Sequence, residues 1–352
     1  MLIYVLLVAA ILILNIQRKN GRMANRKYCR IICLLFILIT GLRHNNVGSD
    51  TTVYYFSFYD IAYYSFQDVL NRGGDTGFYI LMWCVSHIWH NFAAMTLVIA
   101  CIFYIPVSKL IERYSEDCGL SYLTLMAFNF FQFSMTGMRQ TAAFGFVILF
   151  VLELEKKQYS LLKALLWLFI GATMHKSCLV AVLYFLPRQK ALTRGIIKVS
   201  GLLIPIGYIL RGQLFALFLM LSADVGYTRE IEISESGSAG MTTYLVFVLI
   251  TLLSVYFFRL SKTDGEDMML LAMLIGTIVQ GLVGISSILF RIAWYFAIMM
   301  ILVVPRLVRK LSEIKLGQLA SLGMYACILF MYFGLTIGTA TVLPYKFFWQ
   351  GY

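Results

Sequence analysis

The chain has 352 residues, 61% of them hydrophobic and only 13% charged, with a mean hydropathy of +0.81 and a formal net charge of +12. Apolar runs of spanning length recur throughout, which excludes a soluble globular domain, and they do not alternate in short segments, which excludes a transmembrane β-barrel. The positive charge lies in loops between apolar runs, where it orients a protein in a bilayer, and this excludes a nucleic-acid partner.

Helical spans are expected at residues 1–16, 29–42, 93–111, 120–136, 139–154, 160–175, 177–187, 196–210, 242–258, 268–289, 291–305 and 319–340, an all-α polytopic bundle of about twelve transmembrane helices. The first run has no basic region before it and no small-residue cleavage site behind it, so it reads as a retained helix and not a signal peptide. The loop that follows carries Arg18, Lys19, Arg22, Arg26, Lys27 and Arg30. Such a cluster belongs in the cytoplasm and places the N-terminus outside.

Residues 43–76 form the first long external segment, in which aromatics alternate with acids: Tyr54, Tyr55, Phe56, Phe58, Tyr59, Asp60, Tyr63, Tyr64, Phe66 and Asp68. This pattern suits an amphipathic helix in the headgroup region, or a surface on which sugars stack. The stretches 77–90 and 92–111 look like two spans, but the sidedness of the later loops requires an odd number of crossings. The first of them is therefore expected to be re-entrant or partly inserted, the alternative being a crossing by residues 51–70.

Basic clusters recur at Lys109 and Arg113, at Lys156, Lys157 and Lys163, at Arg188, Lys190, Arg194 and Lys198, at Arg259 and Lys262, and at Arg306, Arg309, Lys310 and Lys315. With the first loop they hold 21 of the 29 Lys and Arg residues, so the net charge is a positive-inside signal. Residues 211–241 read as a second external segment, a polar loop over the outer mouth. Several spans, 177–187 above all, are shorter than the roughly 20 residues a straight crossing needs, so some helices must tilt or break. No repeat, low-complexity tract or linker divides the chain, which is expected to form one membrane domain over 1–352 with both termini extracytoplasmic.

The seven cysteines lie mostly inside apolar segments and make no disulfide or zinc pattern; Cys29 and Cys33 read as packing residues. His87 and His90 share a helix face, but no third ligand accompanies them. No metal or other cofactor is expected.

Once the basic loops are assigned to the cytoplasm, Arg43, Arg139, His175 and Arg291 all emerge on the outer side, each where a span meets a loop. Arginine presents a planar fork of donors matched to phosphate oxygens and stays charged when desolvated, so three of them could hold a diphosphate. Snorkelling to nearby headgroups is the alternative for each. His175 is a candidate general base. Asp50 could orient or replace that base, or could cap the helix that starts at Thr51. No phosphate-binding glycine loop, nucleophile elbow or zincin motif occurs.

The fragments Gly41-Leu42-Arg43, Val47-Gly48-Ser49-Asp50, Gly137-Met138-Arg139-Gln140, His175-Lys176-Ser177, Phe290-Arg291-Ile292 and Pro344-Tyr345-Lys346 follow one another in an order that resembles the EpsG-like branch of the Wzy-type polysaccharide polymerases. One departure is Thr51 after Asp50, where members of that family often carry an aromatic; here the tyrosines come at 54 and 55.

The resemblance implies a metal-independent, inverting membrane glycosyltransferase of the bacterial cytoplasmic membrane. It would join repeat units carried on undecaprenyl diphosphate into capsular or exopolysaccharide at the outer face. Arg43, Arg139 and Arg291 would bind the diphosphate, and His175 or Asp50 would act as the base. Gln140, Tyr54 and Lys346 are further candidates for substrate contact. The implied partners are the lipid-linked oligosaccharide, membrane lipids, a flippase and a chain-length regulator. Competing readings are a flippase for the same lipid-linked saccharides and a membrane O-acyltransferase.

Overall fold

Long apolar runs interrupted by few helix breakers dictate helices, and in the computed structural model every regular element among the described residues is helical. The structure describes residues 1–223, 238–258, 264–285, 289–313 and 317–351. Contacts divide the chain into two compact units, one made of Met1–Leu179 with Val304–Tyr352 and the other of Val180–Val303. No linker marks the divisions because helical segments run through both: a 3-10 helix over Lys176–Arg188 and an α-helix over Met300–Ser312.

The first unit contains α1 (Leu2–Lys19), α2 (Asn25–Gly41), α3 (Thr51–Ile61), α4 (Phe66–Asn71), α5 (Thr76–Ile88), α6 (Phe92–Tyr114), α7 (Cys118–Ala127), α8 (Phe130–Phe133), α9 (Met138–Leu154) and α10 (Leu161–Met174). Helices α2 and α6 pack antiparallel: Ser108 Oγ donates to the Cys29 carbonyl at 3.1 Å near one end, and Thr96 Oγ1 donates to the Gly41 carbonyl at 2.5 Å near the other. Against α6 lies α9, with Phe103 edge-on to Phe144, and α9 pairs with α10 through the stacked rings of Phe146 and Trp167.

The second unit contains α11 (Lys190–Lys198), α12 (Ser200–Ile209), α13 (Arg211–Ala223), α14 (Ser238–Phe258), α15 (Asp264–Gly281) and α16 (Leu289–Ala297). The Thr251 and Thr277 hydroxyls, 2.7 Å apart, link α14 to α15, and Tyr208 stacks on Tyr244. Across the second division runs α17 (Met300–Ser312), and past it comes α18 (Gly317–Phe330), which continues as a π-helix over Met331–Thr336.

Among the described residues four helices are long and apolar enough to cross a membrane, namely Leu2–Lys19, Phe92–Tyr114, Gly240–Phe258 and Gly317–Thr336, or up to six if each of two bent pairs is one span. The expected count of about twelve spans is not confirmed, because apolar runs do not all become straight helices. The run 120–136 breaks at Asn129, whose φ of 66° is left-handed, and 196–210 bends by 70° between α11 and α12. Residues 177–187 form part of the 3-10 helix. Irregular backbone is tolerated at membrane depth where protein encloses it, and the residues flanking Asn129 are buried.

Helix α5 has 13 residues, about 20 Å at 1.5 Å per residue, too short to cross a hydrocarbon core of about 30 Å alone. In the segment 43–76, expected to be external, α3 buries Phe58 and Ile61 while leaving Val53 and Phe56 about two-thirds exposed, an amphipathic division of the aromatic stretch. The segment 211–241 is helical over α13 where a loop was expected; residues 224–237 lie outside the described residues.

The C-terminal strand of chain returns to the end of α2. The His44 amide donates to the Lys346 carbonyl at 2.8 Å and the Phe348 amide to the Leu42 carbonyl at 2.9 Å. Beside this seam Arg43, only 2% exposed, donates from Nε to the Val47 carbonyl at 3.3 Å, from Nη2 to the Met135 carbonyl at 3.0 Å, and from Nη1 to the Thr40 carbonyl. The guanidinium thus ties three stretches of backbone together. Its burial and its backbone partners weigh against the diphosphate-binding role expected for Arg43.

Removing a buried charged donor leaves its acceptors unsatisfied, at about 1.5–3 kcal/mol for each such bond. Arg43→Ala is therefore expected to destabilise the protein by roughly 3 kcal/mol or more, and Arg43→Lys to rescue little, since an ammonium cannot serve three separated carbonyls with a planar fork. Thermal unfolding of the detergent-purified variants measures this, and a melting temperature equal to wild type in Arg43→Ala would remove the structural role.

Candidate active site

Between α4 and α5 the chain passes through Gly73 and Gly74, both left-handed with φ near +70°, a conformation that side chains with a Cβ rarely adopt. This double turn delivers Asp75 to the N-cap position of α5. An aspartate there normally accepts from its own helix's first amides, but Asp75 makes no such bond. Its carboxylate turns instead toward α9 and α10. The approach is close because Gly77 has no side chain: a Cβ there would overlap Thr173.

At the other side of the cluster α10 ends at Met174, and His175 leaves the helix in an extended conformation with φ −162° and ψ 117°. Its Nδ1 lies 3.0 Å from Asp75 Oδ2. Arg139, in the first turn of α9, donates from Nη1 to the same oxygen at 3.0 Å and from Nε to the Tyr54 hydroxyl at 3.4 Å. The Lys176 amide donates to Asp75 Oδ1 at 3.4 Å. Four elements therefore meet on one carboxylate: the start of α5, the start of α9, the end of α10 and, through Tyr54, helix α3.

Burial by itself pushes the Asp75 carboxyl up, but the His175 hydrogen bond and the charges of His175 and Arg139 outweigh it and hold the group below the usual carboxylate range. An ionised carboxylate can only accept, so the His175 Nδ1 carries the proton, and in neutral imidazole the lone pair then resides on Nε2. Asp75 thus sets the tautomer in which His175 can take a proton. His175 and Asp75 are 7% and 6% exposed, whereas the Arg139 side chain is 33% exposed and its Nη2 makes no hydrogen bond within the chain among the described residues. That nitrogen can serve an anion.

Of the residues singled out in the sequence, Tyr54, Arg139 and His175 come together. Asp50 occupies the N-cap of α3 one turn before Tyr54, and its carboxylate is bonded neither to His175 nor to Arg139. Gln140 points into the protein at 2% exposure. Lys346 lies in the C-terminal return, where its Nζ donates to the Gly351 carbonyl at 3.2 Å. Arg291 belongs to the second unit, in the first turn of α16, with its guanidinium carbon 5.9 Å from the Phe290 ring centre.

Asp75 is the member that the sequence did not reveal. Gly73-Gly74-Asp75-Thr76 before an apolar run reads as a turn and a helix cap, and nothing in that local pattern shows the carboxylate leaving its own helix for two others. Among the described residues no group of three or more His, Cys, Asp and Glu side chains is arranged to hold a metal ion.

The all-α chain, with helices long and apolar enough to cross a membrane, belongs to the class of membrane-embedded proteins. Residues 26–347 match the EpsG family, and the chain belongs to that family, which is a Wzy-like polymerase family. Its activity is accordingly that of a membrane polysaccharide polymerase. No curated protein and no solved structure matches the chain.

Asp75→Asn keeps the size of the side chain and removes the charge that orients His175 and Arg139. It is expected to lower polymer formation by roughly a hundredfold or more, read from the yield of long glycan at equal protein abundance. The ionised carboxylate has a depressed pKa, so its stabilising contribution is complete above the ordinary aspartate range and is lost only as pH falls through the folded-state value. The difference in melting temperature between wild type and Asp75→Asn should hold steady from neutral pH into mild acid and shrink below it.

Proposed function

We propose that the protein polymerises undecaprenyl-diphosphate-linked oligosaccharide repeat units into capsular or exopolysaccharide at the outer face of the bacterial cytoplasmic membrane. The observation that carries this reading is the shared oxygen, Asp75 Oδ2, which holds a proton acceptor and a phosphate-matching cation side by side at 3.0 Å each.

In the transfer, His175 Nε2 takes the proton of an acceptor hydroxyl on one lipid-linked unit. The oxygen forms a bond to the anomeric carbon of the donor glycan, and the bond between that carbon and the diphosphate oxygen breaks. The departing lipid diphosphate gains negative charge, which Arg139 stabilises; the family resemblance also implies a diphosphate-binding role for Arg291. Asp75 positions the base and stabilises its protonated form. Arg43 is left out of the diphosphate-binding set because its donors serve the backbone, and Asp50 is left out as base because His175 already has its orienting carboxylate.

The outward placement is supported by charge. At the ends of α2, α6, α9 and α10 away from the cluster lie Arg26 and Arg30, Lys109 and Arg113, Lys156, and Lys163. By the positive-inside rule those ends face the cytoplasm. The inverting, metal-independent course follows from the family resemblance, with guanidinium groups supplying the positive charge. The family resemblance implies a flippase upstream and a chain-length regulator alongside as partners.

His175→Ala, Arg139→Ala and Arg291→Ala are each expected to accumulate normally and to lose at least a hundredfold of high-molecular-weight polymer, while single repeat units still reach the cell surface. Surface units disappearing together with polymer would assign the protein to transport. Purified wild type supplied with defined lipid-linked repeat units should elongate them in the presence of a chelator; dependence on added divalent cation would overturn the metal-independent course.

A further inference from the structure

We propose that the chain holds a second anion site, remote from the Asp75 cluster, in which one anionic phospholipid of the surrounding bilayer is bound in a groove between α2 and α6. The groove encloses about 450 Å³ at the Arg26 end of α2, and the helix then runs for 17 residues, about 25 Å, before it reaches the Arg43 end. It is therefore not an extension of the candidate active site. It depends only on the protein being embedded in a membrane and not on the polymerase reaction.

Four cations line this groove, Arg26 and Arg30 from α2 and Lys109 and Arg113 from α6, against a single acid, Glu112. Residues 26, 30, 34 and 37 fall on one face of α2, and 105, 109, 112 and 113 on one face of α6, at the three- and four-residue spacings that align side chains along a helix. Among the described residues Arg26, Arg30 and Lys109 have no ion-pair or hydrogen-bond partner. Three positive groups thus converge on one cavity without an ion-pair partner, and Glu112 is the single acid in its lining.

Deeper along the same two faces the lining turns apolar, with Leu34, Ile37 and Ile105; Leu34 is 54% exposed and Ile105 43%. The two polar groups in that part are already satisfied, Ser108 Oγ by the Cys29 carbonyl and Cys33 Sγ by the Tyr104 carbonyl at 3.4 Å. A ligand there needs no hydrogen-bonding groups at that depth. From Arg26 to Ile37 is about 16 Å along the helix, the distance over which a bilayer passes from phosphate to hydrocarbon. A phospholipid matches both parts, its phosphate among Arg26, Arg30 and Lys109 and an acyl chain along Leu34, Ile37 and Ile105. A soluble anion matches only the first.

Native mass spectrometry of the full-length protein in detergent, titrated with phosphatidylglycerol or phosphatidylcholine, tests this. One phosphatidylglycerol per chain is expected to bind in preference to phosphatidylcholine. Each neutralised cation should weaken it about fivefold, so that Arg30→Gln with Lys109→Gln weakens it roughly twenty-five-fold. The pair Arg22→Gln with Lys27→Gln makes the same charge change outside the groove and should leave binding nearly unchanged. Glu112→Gln should tighten it about fivefold, a gain that misfolding cannot produce. Equal losses from the two pairs would reduce the effect to general surface charge, and displacement of the lipid by excess inorganic phosphate would make the groove a site for free anions; either result overturns the proposal.

Discussion

A single carboxylate oxygen organises the place where the starts of α5 and α9 meet the end of α10. Asp75 Oδ2 accepts from both His175 and Arg139 at 3.0 Å in a place only 6% exposed to solvent. A buried charge of this kind is tolerable only when it is paired, and removing one member of such a set leaves the rest uncompensated. The helix starts and ends that carry the three residues are therefore locked to each other by electrostatics as much as by apolar packing. The same lock fixes the histidine tautomer and keeps one edge of the arginine directed inward while the rest of its fork remains available.

Two arginines at span ends illustrate how environment separates roles for one side chain. Arg43 and Arg139 have the same chemistry and similar local sequence settings, each following a glycine by two residues. Arg43 is enclosed at the seam where the C-terminal residues rejoin the end of α2, and carbonyls of Thr40, Val47 and Met135 occupy its nitrogens. Arg139 meets a carboxylate and a tyrosine and keeps a third of its side chain exposed. One holds the scaffold, and the other keeps a donor available for the substrate of the proposed reaction.

Charge is also divided between the two ends of the first unit's helices. The Asp75 cluster occupies the end at which α10 finishes and α9 begins, while the opposite ends carry the basic residues that flank apolar lining between α2 and α6. An excess of cations at span ends is the signal that orients a membrane protein, and a buried ionic cluster amid apolar helices is the place to look for its chemistry. The broken segments follow the same economy of hydrogen bonding: the turn at Asn129 interrupts an apolar run, but Thr339 Oγ1 donates to the Asn129 side chain at 2.8 Å, so the irregular backbone is supported by protein.

Composition and the periodic return of apolar runs were enough to establish an all-helical membrane protein, because lipid leaves an exposed backbone no other solution. The ordered fragments around Arg139 and His175 were enough to point to the family and to two of the three central residues, because cations at span ends stand out against hydrocarbon. The number of crossings was not legible: apolarity marks burial, and a run such as 120–136 is equally apolar whether it faces lipid or, as here, lies broken inside the protein. Nor could local pattern tell Arg43 from Arg139, or distinguish Asp75 from an ordinary helix cap. Those distinctions rest on contacts spanning about a hundred residues of chain, 64 from Asp75 to Arg139 and 100 from Asp75 to His175, and only the packing of α5 against α10 brings such distant groups within hydrogen-bonding range.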